Sequence, residues 1–406
     1  MLSWKNVRIL AIALPLGGIA CTTTTGGADA GQAQDSGPTK PVDAGPMDAG
    51  PVDAGPVDAG PELATVGIDG GSLTIVAAYQ DYPSGISVQG STVFWSSSDS
   101  PGAILSAPAA GGGTVTTIES MRVNPSAVVT DSTNVYWIDL GSFDNQGNYN
   151  DDGAILQAPL AGGNVTTIAT GQDYPAALAV GGGKVYWANA AFDSQNMSPG
   201  SVVSNTIGGG TPSTLFTGRD YPTAIAVDAN NLYWTDSGAQ PTNSGYVLQA
   251  ALGSTIISTL ASMQDNPSAM AIDAHNVYWA NQGDYDSNYN LMPMTGSTAE
   301  VPIGGSTVTT LATLQDNPIA MVTGNSLLYW ANNSVTPAIG AQLGEIVQIS
   351  TASSGATPVT IISGAYAPSG IALPASGNAI YFTDSGDLES ATGYTPTSGV
   401  VFSFIP

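Results

Sequence analysis

From residue 63 to the C-terminus, apolar and polar positions follow one short pattern seven times. Its clearest mark is a pair of adjacent aromatic residues on an aliphatic lead: Phe94-Trp95, Tyr136-Trp137, Tyr186-Trp187, Tyr233-Trp234, Tyr278-Trp279, Tyr329-Trp330 and Tyr381-Phe382. The second members lie 42, 50, 47, 45, 51 and 52 residues apart. A proline stands 12 residues upstream in six copies (Pro83, Pro125, Pro175, Pro222, Pro267, Pro318) and 14 upstream in the seventh, Pro368. Self-similarity at this period marks an architecture whose units bury their apolar faces against one another.

Each copy predicts four short strands. The proline opens an alternating run such as Ala224-Ile225-Ala226-Val227, and a tight polar turn leads to the aromatic strand. A longer polar loop leads to a third strand such as Ala154-Ile155-Leu156, and a Gly-rich turn to a fourth such as Val165-Thr166-Thr167-Ile168. Period-two alternation punctuated by turns, at four strands per unit, predicts an all-β fold: a seven-bladed β-propeller. Ala or Gly recurs two residues after every proline, from Gly85 to Gly370, where the innermost strands crowd around the axis.

The last copy stops after its third strand, Val400 to Phe404, while Gly70 to Val76 matches the fourth-strand pattern ahead of the first copy. Pairing this N-terminal strand with the C-terminal blade closes the ring and removes two open edges. The pattern resembles propellers of the YWTD and NHL types. Tyr233-Trp234-Thr235-Asp236 reproduces the first motif and Tyr381-Phe382-Thr383-Asp384 nearly does, while the other copies keep only the aromatic pair. The resemblance bears on architecture more than on any ligand.

The chain ahead of the repeats reads differently. Lys5 and Arg8 precede an apolar run from Ile9 to Leu16, and small residues lead to Cys21, the only cysteine. A basic start, an apolar stretch too short to span a bilayer and a small-residue cleavage site predict an export signal over residues 1–20. With the cysteine at the cleavage point the segment resembles a bacterial lipoprotein signal, although Gly18 stands where that family usually has leucine. The resemblance implies a lipidated Cys21 and a membrane partner through the acyl anchor, at the outer membrane or cell surface. Residues 21–62 hold few large apolar side chains and repeat PVDAG, PMDAG, PVDAG, PVDAG from Pro41. Such a composition buries too little surface to offset chain entropy, predicting a disordered tether before the propeller of residues 63–406. Similar linkers occur in myxobacterial lipoproteins.

Charge narrows the function classes. The chain carries 6 Lys and Arg against 31 Asp and Glu, a formal net charge of −25. Nucleic-acid binding runs on clustered basic residues neutralising phosphates, so that class is excluded. In an up-and-down blade, the loops entering the first strand and those joining the second to the third share one face. Of the 24 acids beyond Glu62, 19 map to these loops or their borders, Asp139, Asp236, Glu300 and Asp384 among them. The entry loops recur as Asp81-Tyr82-Pro, Asp173-Tyr174-Pro, Asp220-Tyr221-Pro, Asp265-Asn-Pro and Asp316-Asn-Pro around the channel mouth. Two readings stay open for these residues: ligand contacts on a rigid scaffold, or turn caps and inter-blade packing. The longer loops, containing Asp144 in one and Asp284 and Asp286 in another, alternate oxygen donors with aromatics. Asn148, Asn150 and Asp152, followed by Gly153, occupy positions 1, 3, 5 and 6 of a calcium-loop pattern, but Pro159 stands where its bidentate Glu belongs.

The parts of nucleophilic and zinc catalysis are missing. His275 is the only histidine and falls in a tight turn on the opposite face, which disfavours a lyase with a histidine base at the channel mouth. Asp236-Ser-Gly and Asp384-Ser-Gly have the aspartic-protease form but sit three blades apart, whereas a shared-proton dyad needs carboxylates about 3 Å apart. The expectation is therefore a surface-tethered binding module for a protein, carbohydrate or cationic ligand, with calcium as the one cofactor under consideration. The alternatives are a carboxylate-dependent hydrolase or lyase acting on a glycan, and a scaffold subunit of an envelope complex.

Overall fold

In the computed structural model, the described residues are 67–98, 101–144, 149–191, 199–238, 244–286, 290–334, 344–353, 355–386 and 399–406. The expected leader, Cys21 and the expected tether lie outside them. The described residues form seven antiparallel sheets. Blade 1 spans 83–122, blade 2 125–172, blade 3 175–219, blade 4 222–264, blade 5 267–315 and blade 6 318–365; blade 7 combines 368–405 with Ser72–Gln80. The ring closes as the repeat pattern predicts. Ser72–Gln80 pairs antiparallel with the last strand, Gly399–Ile405, in a register that sets Leu73 opposite Phe404. A further two-residue strand, Gly67–Ile68, lies on the outer edge of blade 6 against Ile362 and Ser363, a contact the repeat does not announce.

The consecutive aromatics follow from the geometry of a sheet packed on both sides. Neighbouring residues of a strand point to opposite faces, so one member of each pair fills the seam ahead and the other the seam behind. The core consists of seven such seams. One joins Tyr136 of blade 2 to Trp187 of blade 3, the next Tyr186 to Trp234, and the last Tyr381 of blade 7 to Trp95 of blade 1. All six tryptophans of the repeat are fully buried. At roughly 200 Å² each and ~25 cal/mol per Å², each contributes on the order of 5 kcal/mol of gross burial.

Polar contacts set the seams in register. Trp95, Trp187, Trp279 and Trp330 donate their indole N–H to Gln80, Gln172, Gln264 and Gln315, each the last residue of the preceding blade's outer strand. Where that residue is arginine, the partner two positions beyond the tryptophan is aspartate: Arg122 pairs with Asp139, and Arg219 with Asp236 at 3.3 Å. Where phenylalanine replaces tryptophan, at Phe382, the acceptor gives way to Ala365. Asp384 then takes backbone amides of Tyr366 and Ala367, each at 2.9 Å. Near the axis, hydroxyls bridge blades: Thr223 donates to Pro267 O, Ser268 to Pro318 O and Ser369 to Pro83 O, at 2.7–2.9 Å.

On the tight-turn face, Asp131, Asp228 and Asp273 each accept two turn amides and a hydroxyl, from Tyr136, Tyr233 and Tyr278 respectively. His275 lies within the third of these turns and is exposed.

Candidate functional site on the entry-loop face

The face carrying the entry loops is built by one recurring device. The residue before the proline adopts a left-handed backbone in six blades: Tyr82, Asn124, Tyr174, Tyr221, Asn266 and Asn317, with φ between 47° and 57°. This turns the chain sharply from the outer strand of one blade into the inner strand of the next. Asparagine tolerates that conformation and tyrosine less so. The carbonyl of the same residue accepts the amide three positions past the second aromatic: Ser98 donates to Tyr82, Ala190 to Tyr174, Ser237 to Tyr221, Gln282 to Asn266 and Asn333 to Asn317, at 2.9–3.2 Å. The entry loops and the starts of the second-to-third loops are thereby stapled together on one face.

The five entry-loop aspartates are not equivalent. Asp220 is exposed, Asp81, Asp173 and Asp265 are half-buried, and Asp316 is buried. Asp316 accepts the Ser334 hydroxyl at 2.8 Å. Burial, and then the nearby Asp284 carboxylate, pushes Asp265 above the usual carboxylate range. Burial also raises Asp220, opposed by Arg219. Among the tyrosines, Tyr82 and Tyr221 are half-buried and Tyr174 is buried. Burial, then the Asp220 charge, raises the Tyr221 hydroxyl.

Two second-to-third loops share a common frame. In blade 2, Phe143 bridges Tyr149, and the Asn150 amide donates to Ser142 O at 2.9 Å. Asp152 accepts the amide and the hydroxyl of Ser142 at 2.8 and 2.6 Å. In blade 5, Tyr285 bridges Leu291, the Met292 amide donates to Asp284 O, and the Thr295 hydroxyl accepts the Asp284 amide at 2.9 Å. Gly141 and Gly283 begin the two loops at φ 99° and 113°. A side chain there would run into Asp152 or Thr295. The loops differ in filling. Tyr149 packs between Phe143 and Tyr174, with ring centroids 4.3 and 4.5 Å apart. In blade 5, the Tyr285 hydroxyl accepts the Asn266 side-chain amide at 3.1 Å, and burial pushes that hydroxyl up to about 12.

Of the calcium-loop residues, Asn148 lies outside the described residues. Asn150 donates its side-chain amide to the Ser142 hydroxyl at 2.8 Å, and Asp152 is engaged by Ser142 as above. Among the described residues, no three His, Cys, Asp or Glu side chains come together as a metal-holding group. Asp144 is half-buried, and Asp286 is closed on by Asn290, which donates its backbone amide at 2.9 Å and its side-chain amide at 3.0 Å.

Four acids assigned to this face by loop position belong elsewhere. Asp139, Asp236 and Asp384 are only 3–4% exposed and act inside the seams. They end the aromatic strand, where the side chain turns back toward the preceding blade. Glu300 sits within the strand Gly296–Pro302, opposite Tyr278. Burial and the charge of Asp273, in the tight turn, raise it. Asp99, Asp193, Asp387 and Glu389 fall outside the described residues. Among the described residues, therefore, fewer acids lie on this face than loop position suggests, and its exposed and half-buried charge concentrates in the entry loops and the blade 2 and blade 5 hairpins. Asp236 and Asp384 occupy blades 4 and 7 and have unrelated partners.

The sequence pattern did not single out the Phe143, Tyr149 and Tyr174 rings as one cluster. Its signal was the aromatic six positions past Trp137, repeated as Tyr285 past Trp279.

No family model and no curated protein matches the chain. Solved structures do. The chain is similar to a streptogramin B lyase at 13% identity and TM-score 0.57, covering 82% of this chain and 97% of that one. It is also similar to the β-propeller domain of the Trilobed protease from Pyrococcus furiosus at 10% identity and TM-score 0.53, covering 80% and 95%. That domain is described as having an open velcro topology, whereas here Ser72–Gln80 pairs with the last strand. At these identities the likeness concerns the fold, and it places the chain among the β-propellers.

Proposed function

We propose that the protein is an exported, lipid-anchored β-propeller that acts as a cell-surface binding module through its entry-loop face. The supporting observation is the stapling of the entry loops and the second-to-third loops onto one face, which carries exposed or half-buried carboxylates on a rigid ring. Cys21 behind a short apolar run supports the anchor, and the Pro-Asp-Ala-Gly segment supports a spacer between anchor and domain. The ligand is a protein, a carbohydrate or a cation-bearing molecule, with calcium as a candidate bridge. In the test, the protein is incubated with cell-envelope fractions with and without calcium, beside a variant with Asp81, Asp173, Asp220, Asp265 and Asp316 changed to Asn. Retention by the wild type and its loss in the variant are expected; equal retention sinks the reading. Lipid labelling that persists after Cys21→Ser removes the anchor.

A second reading has its own observation. Asp265 lies close enough to Asp284 for that charge, after burial, to raise its carboxyl, and two neighbouring carboxylates are what acid–base hydrolysis or lyase chemistry on a glycan requires. Turnover of a glycan panel abolished by Asp265→Asn and by Asp284→Asn selects this reading; no turnover by the wild type rejects it.

A further inference from the structure

The blade 2 and blade 5 hairpins form a comparison within one molecule. Both start from a left-handed glycine, both are closed by a backbone bridge and both carry acids. Among the described residues, only the first holds packed rings, tilted against one another at 39° and 48°; Leu291 stands in the place of Tyr149, and Asn317 in that of Tyr174. Phe143 is 39% exposed at the outer end of this cluster, next to Ser142, whose amide and hydroxyl are both held by Asp152. An exposed aromatic beside a braced residue offers its ring to a ligand at little cost in conformational entropy.

The chemistry around the rings selects the occupant. Asp144 follows Phe143, Asp151 and Asp152 follow Tyr149, and Asp173 precedes Tyr174. Of the three basic residues among those described, Arg122 and Arg219 are held by Asp139 and Asp236. Lys184 lies at the opposite end of blade 3, beside its tight turn. An exposed ring with carboxylates beside it along the chain, on a surface with so few cations of its own, is complementary to a guanidinium or ammonium group.

We infer that the Phe143–Tyr149–Tyr174 cluster with its flanking aspartates is a docking site for an arginine- or lysine-bearing segment of a partner protein, one cationic side chain resting over the exposed ring. This rests on the binding-module reading and names its partner chemistry. Carboxylates alone attract any cation, and the blade 5 hairpin does that equally well; the rings add a preference for a flat or weakly hydrated cation.

The probe is a fluorescently labelled octa-arginine peptide titrated into the full-length protein at physiological and high salt, with spermine and a neutral Gly-Ser peptide in parallel. Octa-arginine binding that weakens with salt is expected, with spermine weaker and the neutral peptide silent. Phe143→Ala should weaken the peptide roughly two- to fivefold, and Tyr149→Leu, copying the blade 5 hairpin, should do the same. Asp284→Asn with Asp286→Asn should weaken it less than either ring change does. No peptide binding, unchanged binding in both ring variants, or equal losses from the blade 2 and blade 5 changes would each overturn the site. The variant with five neutralised entry-loop aspartates separates the two claims. Envelope retention lost there while Phe143→Ala has no effect on the peptide keeps the module and rejects this site. Peptide binding that depends on Phe143 without any envelope retention does the reverse.

Discussion

Gly399, which opens the last strand of the chain, lies against Pro83, which opens blade 1, so closely that a Cβ on the glycine would overlap the proline ring. The same contact recurs around the ring: a Cβ on Gly296 would meet Pro318 Cδ at 2.7 Å, one on Gly153 would meet Pro175 Cδ at 2.6 Å and one on Gly200 would meet Pro222 Cδ at 2.5 Å. Each blade thus seats the next blade's proline in the notch left by a missing side chain. Gly399→Ala is expected to destabilise the protein by about 1–3 kcal/mol through overpacking of the closing seam. Gly90→Ala, in a turn with open space around it and φ 59°, should cost only the local strain of ~1 kcal/mol. Urea midpoints for the two variants check the order.

The Trp330 indole donates to Gln315 at 2.8 Å, and the Asn332 side-chain amide shares the same acceptor at 3.1 Å. Gln315→Ala leaves both donors without it and is expected to cost about 1–3 kcal/mol. The seam between blades 6 and 7 shows how the loss is avoided, since Ala365 stands there at the acceptor's position and Phe382 at the tryptophan's, with no N–H to satisfy. Adding Trp330→Phe to Gln315→Ala should therefore cost less than the sum of the two single changes, with a coupling of about 1 kcal/mol in a double-mutant cycle. Strict additivity would mean that the indole bond carries no weight in the seam.

The features legible in the sequence are those a single repeat contains. The proline, the aromatic pair and the turn residues mark strands and blade count without reference to a neighbour, and the 70–76 segment reveals closure because it repeats a known strand. The unread features span two blades. Asp139 and Asp236 looked like loop-border acids because nothing near them in sequence neutralises them; their arginines stand 17 residues upstream in the preceding blade. The offset was available as a signal. Gln172 with Asn189, Gln264 with Asn281 and Gln315 with Asn332 keep the same spacing, so the residue pair changes character together from seam to seam. The Tyr149–Tyr174 contact likewise joins the loop of one blade to the entry of the next, which periodicity alone does not align.

Removing residues up to Gln80 would strip blade 7 of its fourth strand and deprive Trp95 of its acceptor. The strand Gly399–Ile405 would then present an open, apolar edge, which is a template for pairing with another chain. The shortened protein is expected to self-associate on size-exclusion chromatography and to unfold at lower urea. A synthetic peptide covering 67–80 added in trans should shift it back toward monomer. A shortened chain that stays monomeric with an unchanged midpoint would show that the closing pair contributes little.

Asp236 sets the pH response of the seam between blades 3 and 4. Burial pushes its carboxyl up to about 7, with the Arg219 charge opposing, against an ordinary value of 3.8 in the unfolded chain. A group whose folded pKa is raised binds more protons in the folded state, so its contribution to stability is complete below the unfolded value and is lost as pH rises through the folded one. Asp139 and Asp384 shift in the same direction, raised by burial and opposed by Arg122 and by loop amides respectively. Asp228 goes the other way: burial raises it, but the amides of Asn230 and Asn231 and the Tyr233 hydroxyl outweigh that and lower it. Its contribution disappears only as pH falls below the ordinary carboxylate range. Stability should therefore decline as pH rises from about 4 to about 7, the reverse of the usual acid denaturation of paired carboxylates. Asp236→Asn should flatten part of that decline while leaving stability near pH 4 close to the wild type, because the protonated acid and the amide are both neutral there. Urea unfolding at half-unit intervals from pH 4 to pH 8 measures both curves. Parallel curves for the two proteins, or a wild-type stability that climbs across this window, would mean that Asp236 stays ionised beside Arg219 throughout and that the ion pair outweighs burial.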